Sequence, residues 1–346
     1  MKHIVNRQRG RLRIESELDQ GSTSSVYLPS EYARKLLCPA RSGWAVCAGK
    51  PEFSLIPDLP PYAFALFSAF MFAVGSQLQA IGLTTIDSRN GTAIGIATSA
   101  ICFWLAAPWF LNPDYFLNAG ILLFIGIGLI RPALSANLGV SAIRYLGPTL
   151  SGTLSSTAPF FGVALGVLWL GERLSWAVAF GTVGIVVAVI MLSRSGAQIA
   201  GGWPVWALVL PIGAAAIRSV AHAVNKVGME VIPDPYFATL IGFTTSALVT
   251  IAVQSTRGEL GKGLTLWGPG PTWFMVGAIM FAGAVLSLNH ALMIGQIVTV
   301  SPIIAATPAF TLLLSILVFQ RENITARTLI ALALVTPSVI VVVVWG

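Results

Sequence analysis

Ten stretches of roughly 20 mostly apolar residues, each bounded by a turn or charge signal, limit what this chain can become more than any motif does. They lie near 60–82, 91–111, 116–138, 147–170 and 175–192, then 203–226, 235–254, 272–294, 296–318 and 327–345. A soluble core cannot absorb them: 55% of the 346 residues are hydrophobic, only 10% are charged, and the mean hydropathy is +0.82. The solvent that such a composition requires is a bilayer, and each stretch is long enough to cross one.

The polar, Gly-rich "SRSGAQIAGG" at 193–202 splits the spans into five and five. Three blocks follow: a polar tail over 1–59, a first repeat over 60–195 and a second over 203–346. The halves share a rhythm. Gly147 starts a span, Pro159 interrupts it and Glu172 closes it; Gly295, Pro308 and Glu322 do the same in the second half, with spacings that differ by one or two residues. Five is odd, so the second half enters the membrane from the opposite side. The expected fold is an all-α integral membrane protein of ten transmembrane helices arranged as two inverted five-helix repeats, with a site near the midplane between them.

"LSSTAPFFGVALGVLW" followed by "LGERLSWAVAFGTVGIVVAVIML" resembles the end of the first repeat of the drug/metabolite transporter superfamily, in particular its EamA-type ten-helix carriers. "FQRENITARTLIALALVTPSVIVVVV" resembles the end of the second repeat. The resemblance covers about residues 60–346. The Leu-Gly-Glu signature is intact at Leu170, Gly171 and Glu172, while its second copy reads Phe319, Gln320, Arg321, Glu322. What the resemblance implies is a carrier in a bacterial cytoplasmic (inner) membrane, with both termini in the cytoplasm and no named cargo.

Proline within a span removes one backbone hydrogen bond and crowds the preceding turn, so Pro159 and Pro308 should break their helices and free carbonyls near 155 and 304. Ser151, Thr153, Ser155, Ser156 and Thr157 precede the first break; Thr299, Ser301 and Thr307 precede the second. Such hydroxyls either line a polar path or bind helices together, and "GVALG" at 162–166 is a small-xxx-small packing motif.

Charges inside spans are costly and therefore informative. All 13 acids fall outside the spans or at their edges, which leaves no carboxylate at the midplane for a cation. Basic residues do lie inside. Arg218 is near the centre of the sixth span and Arg131 past the middle of the third, neither with an acid at its depth in the sequence. "IRSVAHAVNK" sets Arg218, His222 and Asn225 on one helical face, a pattern suited to an anionic or zwitterionic solute. For Arg131 and Lys226 the competing reading is a long stem snorkelling to the interface. In "LNHALMIGQ", Asn289 and His290 sit one turn inside the exit of the eighth span, where an imidazole could donate to substrate or couple transport to pH. The resemblance matches Gly75, Ser76 and Gln77 of the first span to the family's small polar cluster, and position matches these to Ile217, Arg218 and Ser219. The expected substrate-binding set is therefore Ser76, Gln77, Arg131, Arg218, His222, Asn289 and His290.

The short loops carry charge against the family orientation. With the amino terminus inside, the outer loops hold Arg89, Arg144, Arg194, Arg257, Lys262, Arg321 and Arg327, and the inner ones only Arg173 and Lys226. The tail adds nine Lys and Arg. Within it, "GRLRIESELDQGSTSSVYLP" at 10–29 alternates like a β-hairpin and resembles the C-terminal tip of a histidine kinase ATP-binding domain. Twenty residues cannot bind ATP, and the kinase's other motifs are absent, so a fused or misassigned start is expected here, with a disordered extension as the other reading.

Cys38, Cys47 and Cys102 have no metal or redox spacing, the three histidines are scattered, and no Walker loop or GxSxG elbow occurs. No cofactor, metal or catalytic role is expected. The pI near 9.7 implies attraction to anionic lipid in a chain of this kind; nucleic acid is not an expected partner, and the assembly is expected to be a monomer or homodimer. A secondary carrier of a small anionic, zwitterionic or neutral metabolite is the leading function, as exchanger, uniporter or proton-coupled carrier through His222 or His290. A receptor or scaffold on a carrier fold is the alternative.

Overall fold

The computed structural model describes residues 11–17, 21–27, 37–40, 43–46, 59–130, 154–193, 205–256, 267–318 and 326–345, with scattered positions between 135 and 146. The chain divides into two units, Met1–Pro57 and Asp58–Gly346.

In the first unit β1 (Arg11–Glu17) pairs antiparallel with β2 (Gly21–Tyr27), Arg11 opposite Tyr27 and Glu17 opposite Gly21. The hairpin expected over 10–29 is present, with Gly21 opening the return strand. A second pair, β3 (Leu37–Ala40) and β4 (Gly43–Val46), has no counterpart in the sequence reading.

The second unit is helical. In chain order it contains α1 (Pro61–Gly82), α2 (Ser88–Phe110), α3 (Ile121–Ile130), α4 (Ala158–Leu168) and α5 (Trp176–Ser193). Then come α6 (Val209–Val231), α7 (Pro235–Thr256), α8 (Pro269–Ile294), α9 (Ile297–Ala305), α10 (Thr307–Leu317) and α11 (Ala326–Trp345). Short polar side chains set several starts: Asp87 caps α2 by accepting from the Asn90 amide at 3.2 Å, and Asp234 caps α7 by accepting from that of Phe237 at 3.0 Å. Prolines stand in the first turns of α1, α4, α8 and α10, where the missing amide proton costs nothing.

Among the described residues six segments are long and apolar enough to cross a membrane: 61–82, 90–110, 205–231, 235–256, 269–294 and 297–317. Shorter apolar helices, Ile121–Ile130, Ala158–Leu168, Trp176–Met191 and Ala333–Trp345, mark the third, fourth, fifth and tenth spans. The unit is an all-α membrane protein. Two boundaries differ: the third span, expected from 116, begins at Ile121 after a 3-10 turn over Pro113–Leu117, and the sixth, expected to end near 226, runs to Val231. Asn225 and Lys226 lower the local hydropathy there, yet both are used inside the protein and do not mark an exit.

The ninth span is broken at Ala306, and α4 begins after a turn at Ser156 and Thr157. Each break falls just before its proline, which then occupies the first turn of the following half-helix. Thr157 donates its hydroxyl to the Leu154 carbonyl at 2.7 Å, and Thr307 donates to Ile304 at 2.6 Å. Thr307 thus answers the carbonyl that Pro308 releases, while Thr157 answers the one next to that released by Pro159.

The helix neighbours repeat this correspondence. Exchanging the halves turns the α1–α8 contact into α3–α6, α2–α8 into α3–α7, and α4–α6 into the contact of α1 with α9 and α10. The pairs α2–α7, α4–α9 and α5–α11 map onto themselves. Small residues permit the closest approaches. A Cβ on Gly75 would lie 2.7 Å from Phe281 of α8, and one on Gly162 would strike Ser301 of α9, so "GVALG" is a packing surface.

Candidate functional site

Two clusters of polar side chains stand out within the helical unit. The first begins with the Leu-Gly-Glu signature. Helix α4 ends at Leu168, and Gly171 takes a positive φ of 65°, a backbone conformation that glycine adopts without steric penalty. That turn sends the chain back beneath α4, where the Glu172 amide bonds the Gly166 carbonyl at 2.8 Å. Glu172 therefore points inward, with its side chain 7% exposed.

Its carboxylate meets three donors. Oε1 accepts from the Ile297 amide and Oε2 from the Val298 amide, each at 2.9 Å, so both oxygens cap the start of α9. Lys226 Nζ of α6 lies 2.9 Å from Oε1 and also donates to the Gly295 carbonyl. A carboxylate facing a helix N-terminus and an ammonium has both its charge and its lone pairs answered. Gly166 has no side chain because Ile297, Val298 and Glu172 fill that space; a Cβ there would come within 2.7, 2.7 and 2.9 Å of them. Lys226 accordingly does not snorkel to an interface, as its stem allowed, but holds a buried ion pair across three spans.

The second cluster lies deeper. Asn225 donates from Nδ2 to Asn289 Oδ1 at 3.1 Å, and Asn289 donates from Nδ2 to Thr239 Oγ1 at 2.9 Å. The chain ends when Thr239 donates to the Pro235 carbonyl at 2.6 Å. It joins α6, α8 and α7, and Asn289 is 1% exposed. Asn289, expected at a substrate, is engaged with protein on both ends of its amide.

The other expected site residues are distributed as follows. Ser76 turns its hydroxyl back to the Ala73 carbonyl of its own helix at 2.8 Å. Gln77 is buried and donates to the Thr311 carbonyl of α10 at 2.9 Å, just past the ninth-span break. His290 sets its ring 4.4 Å from that of Phe64, tilted by 57°. Arg131 lies outside the described residues. Ser219 donates to the Ala158 carbonyl at 2.8 Å, tying α6 to the fourth-span break. Beside it stands Arg218, half-buried near the middle of α6, with no hydrogen bond or ion pair among the described residues. His222 and Lys226 follow Arg218 at i+4 and i+8, on the same face of α6. Gln77 and Arg218 belong to helices that both pack against the ninth span.

Outside the spans, burial pushes the Asp234 carboxyl up from its usual value, partly offset by the amides of Phe237 and Tyr236 that bond it.

Helices of membrane-crossing length, twin breaks at corresponding prolines and a two-fold pattern of neighbours define an integral membrane protein of paired-repeat transporter architecture. More particularly, residues 59–194, essentially the whole first repeat, match the EamA-like transporter family, in agreement with the drug/metabolite transporter superfamily. A comparison with curated protein sequences finds no match. Among solved structures, one crystal structure shares the fold with a TM-score of 0.67 at 17% identity, over 82% of this chain and 96% of that one.

Proposed function

We propose that this protein is a secondary carrier of a small organic metabolite, anionic or zwitterionic before neutral, that works by alternating access between its two repeats. The observation that carries the reading is Arg218: a guanidinium held near the centre of a membrane span, with no protein partner among the described residues. A cation in that position seeks a carboxylate or phosphate, and a substrate can supply one. The breaks of the fourth and ninth spans support the reading, since they place non-helical backbone beside Ser219 and Gln77, where it can flex around a solute.

The test is thermal unfolding of the purified protein in detergent against anionic, zwitterionic, neutral and cationic metabolites, followed by flux of the stabilising compounds in liposomes. Stabilisation by anions or zwitterions that disappears in Arg218→Ala, with flux lost in the same variant, is the expected result. Stabilisation by cations alone would overturn it. Binding without flux would favour a receptor built on a carrier fold.

A further inference from the structure

Arg218, His222 and Lys226 form a basic ladder along one face of α6, and its last rung is the one held by Glu172. Glu172 follows the fourth span, Lys226 nears the end of the sixth, and Gly295 to Val298 join the eighth to the ninth. In a chain that crosses at every span, these three places share one face of the membrane. We infer that Glu172 is a tethered anion that closes the transport path at this face, and that release of Lys226 from it is the opening step. The inference rests on the carrier reading above.

Three features favour a latch over simple reinforcement. The pair joins the first repeat to the second, since Glu172 belongs to one and Lys226, Gly295, Ile297 and Val298 belong to the other. Alternating access requires such contacts to part. Glu172 is also held through backbone amides and a single flexible ammonium, so an anion descending the ladder competes with it for Lys226 and for nothing else. Finally, the arrangement is one-sided. Placing Gly75–Gln77 on Ile217–Ser219 sets Thr84 at the place of Lys226, and among the described residues the Thr84 hydroxyl donates to the Ile81 carbonyl alone, at 2.8 Å. The opposite face has no cation at the position that corresponds to Lys226.

Sided labelling tests this without a substrate. His222→Cys serves as reporter in a full-length background with Cys38, Cys47 and Cys102 changed to serine, in right-side-out and inside-out vesicles, using a membrane-impermeant maleimide. With Glu172 and Lys226 intact, labelling from the face of the Glu172 loop is slow. Glu172→Gln is expected to raise that rate at least fivefold while the rate from the other face stays level or falls. Lys226→Gln leaves the cap on α9 in place and should give the same sided increase, whereas Lys226→Arg should label as slowly as the parent. Unchanged labelling in Lys226→Gln, or equal acceleration from both faces, would reduce the pair to structural support and overturn the inference. Because no flux is measured, loss of the carrier reading and loss of the latch are separate outcomes.

Discussion

Arg218 and Lys226 stand two turns apart on the same face of the same helix, and the protein treats them in opposite ways. Lys226 is locked by a carboxylate and a carbonyl, with Glu172 further fixed by two amides. Arg218 is given nothing of the kind among the described residues. The same stretch of helix shows that satisfying a buried cation is within this fold's reach, so leaving one unanswered at the centre is a property of the site and not of the membrane environment. On the carrier reading proposed above, the satisfied charge closes the path and the unsatisfied one receives the cargo.

The contrast breaks most visibly through Arg218→Ala. Flux should fall about tenfold or more, equivalent to about 1.4 kcal/mol or more of lost interaction, while the unfolding midpoint in detergent stays near that of the parent, because no hydrogen bond or ion pair among the described residues is removed. Lys226→Met should do the reverse. It strands the Glu172 carboxylate in a buried position, and removing one partner of a buried pair costs about 3–5 kcal/mol, read as a lowered unfolding midpoint. If Lys226→Met were neutral and Arg218→Ala unfolded the protein, the assignment of the two cations would be inverted.

A smaller change sharpens the Lys226 side. Gly166→Ala places a Cβ within 3 Å of Ile297, Val298 and Glu172, and overpacking of this kind costs about 1–3 kcal/mol. Its effect should be non-additive with that of Lys226→Met, since both act through the carboxylate of Glu172. The smallest effect is expected at Asp234. Its carboxyl is raised by burial, so the folded state holds the proton more tightly than the unfolded state does. The associated stability is present below the ordinary carboxylate range and is lost as pH rises through the raised value. Asp234→Asn keeps an acceptor for the Phe237 amide and should flatten the stability profile over that window.

Local signals in the sequence carry the spans well, because hydropathy and the helix-breaking of proline act over a few residues. Pro159 and Pro308 mark both breaks, and Thr157 and Thr307 stand two positions and one position before them. Lys226 could not be read this way. Its partner is 54 positions earlier and its other contacts begin 69 positions later, so a charge that lowers local hydropathy looked like the end of a span when it was an interior fastening. Asn289 is the opposite case: a polar residue within a span is equally suited to a solute or to a neighbouring asparagine, and its bonds to Asn225 and Thr239 come from packing that the sequence does not display. Arg131 lies outside the described residues and keeps the standing of an expectation.

The pairing of α5 with α11 bears on how the protein is made. Gly181 and Gly184 of α5 press against Ser338 and Val342 of α11, a helix made long after α5. Until that helix is synthesised, α5 must remain in the bilayer with its glycine face against lipid. The first half therefore reaches the membrane as an inserted but incomplete object, and this seam closes only when α11 follows. Halves expressed from separate genes should find each other through this seam.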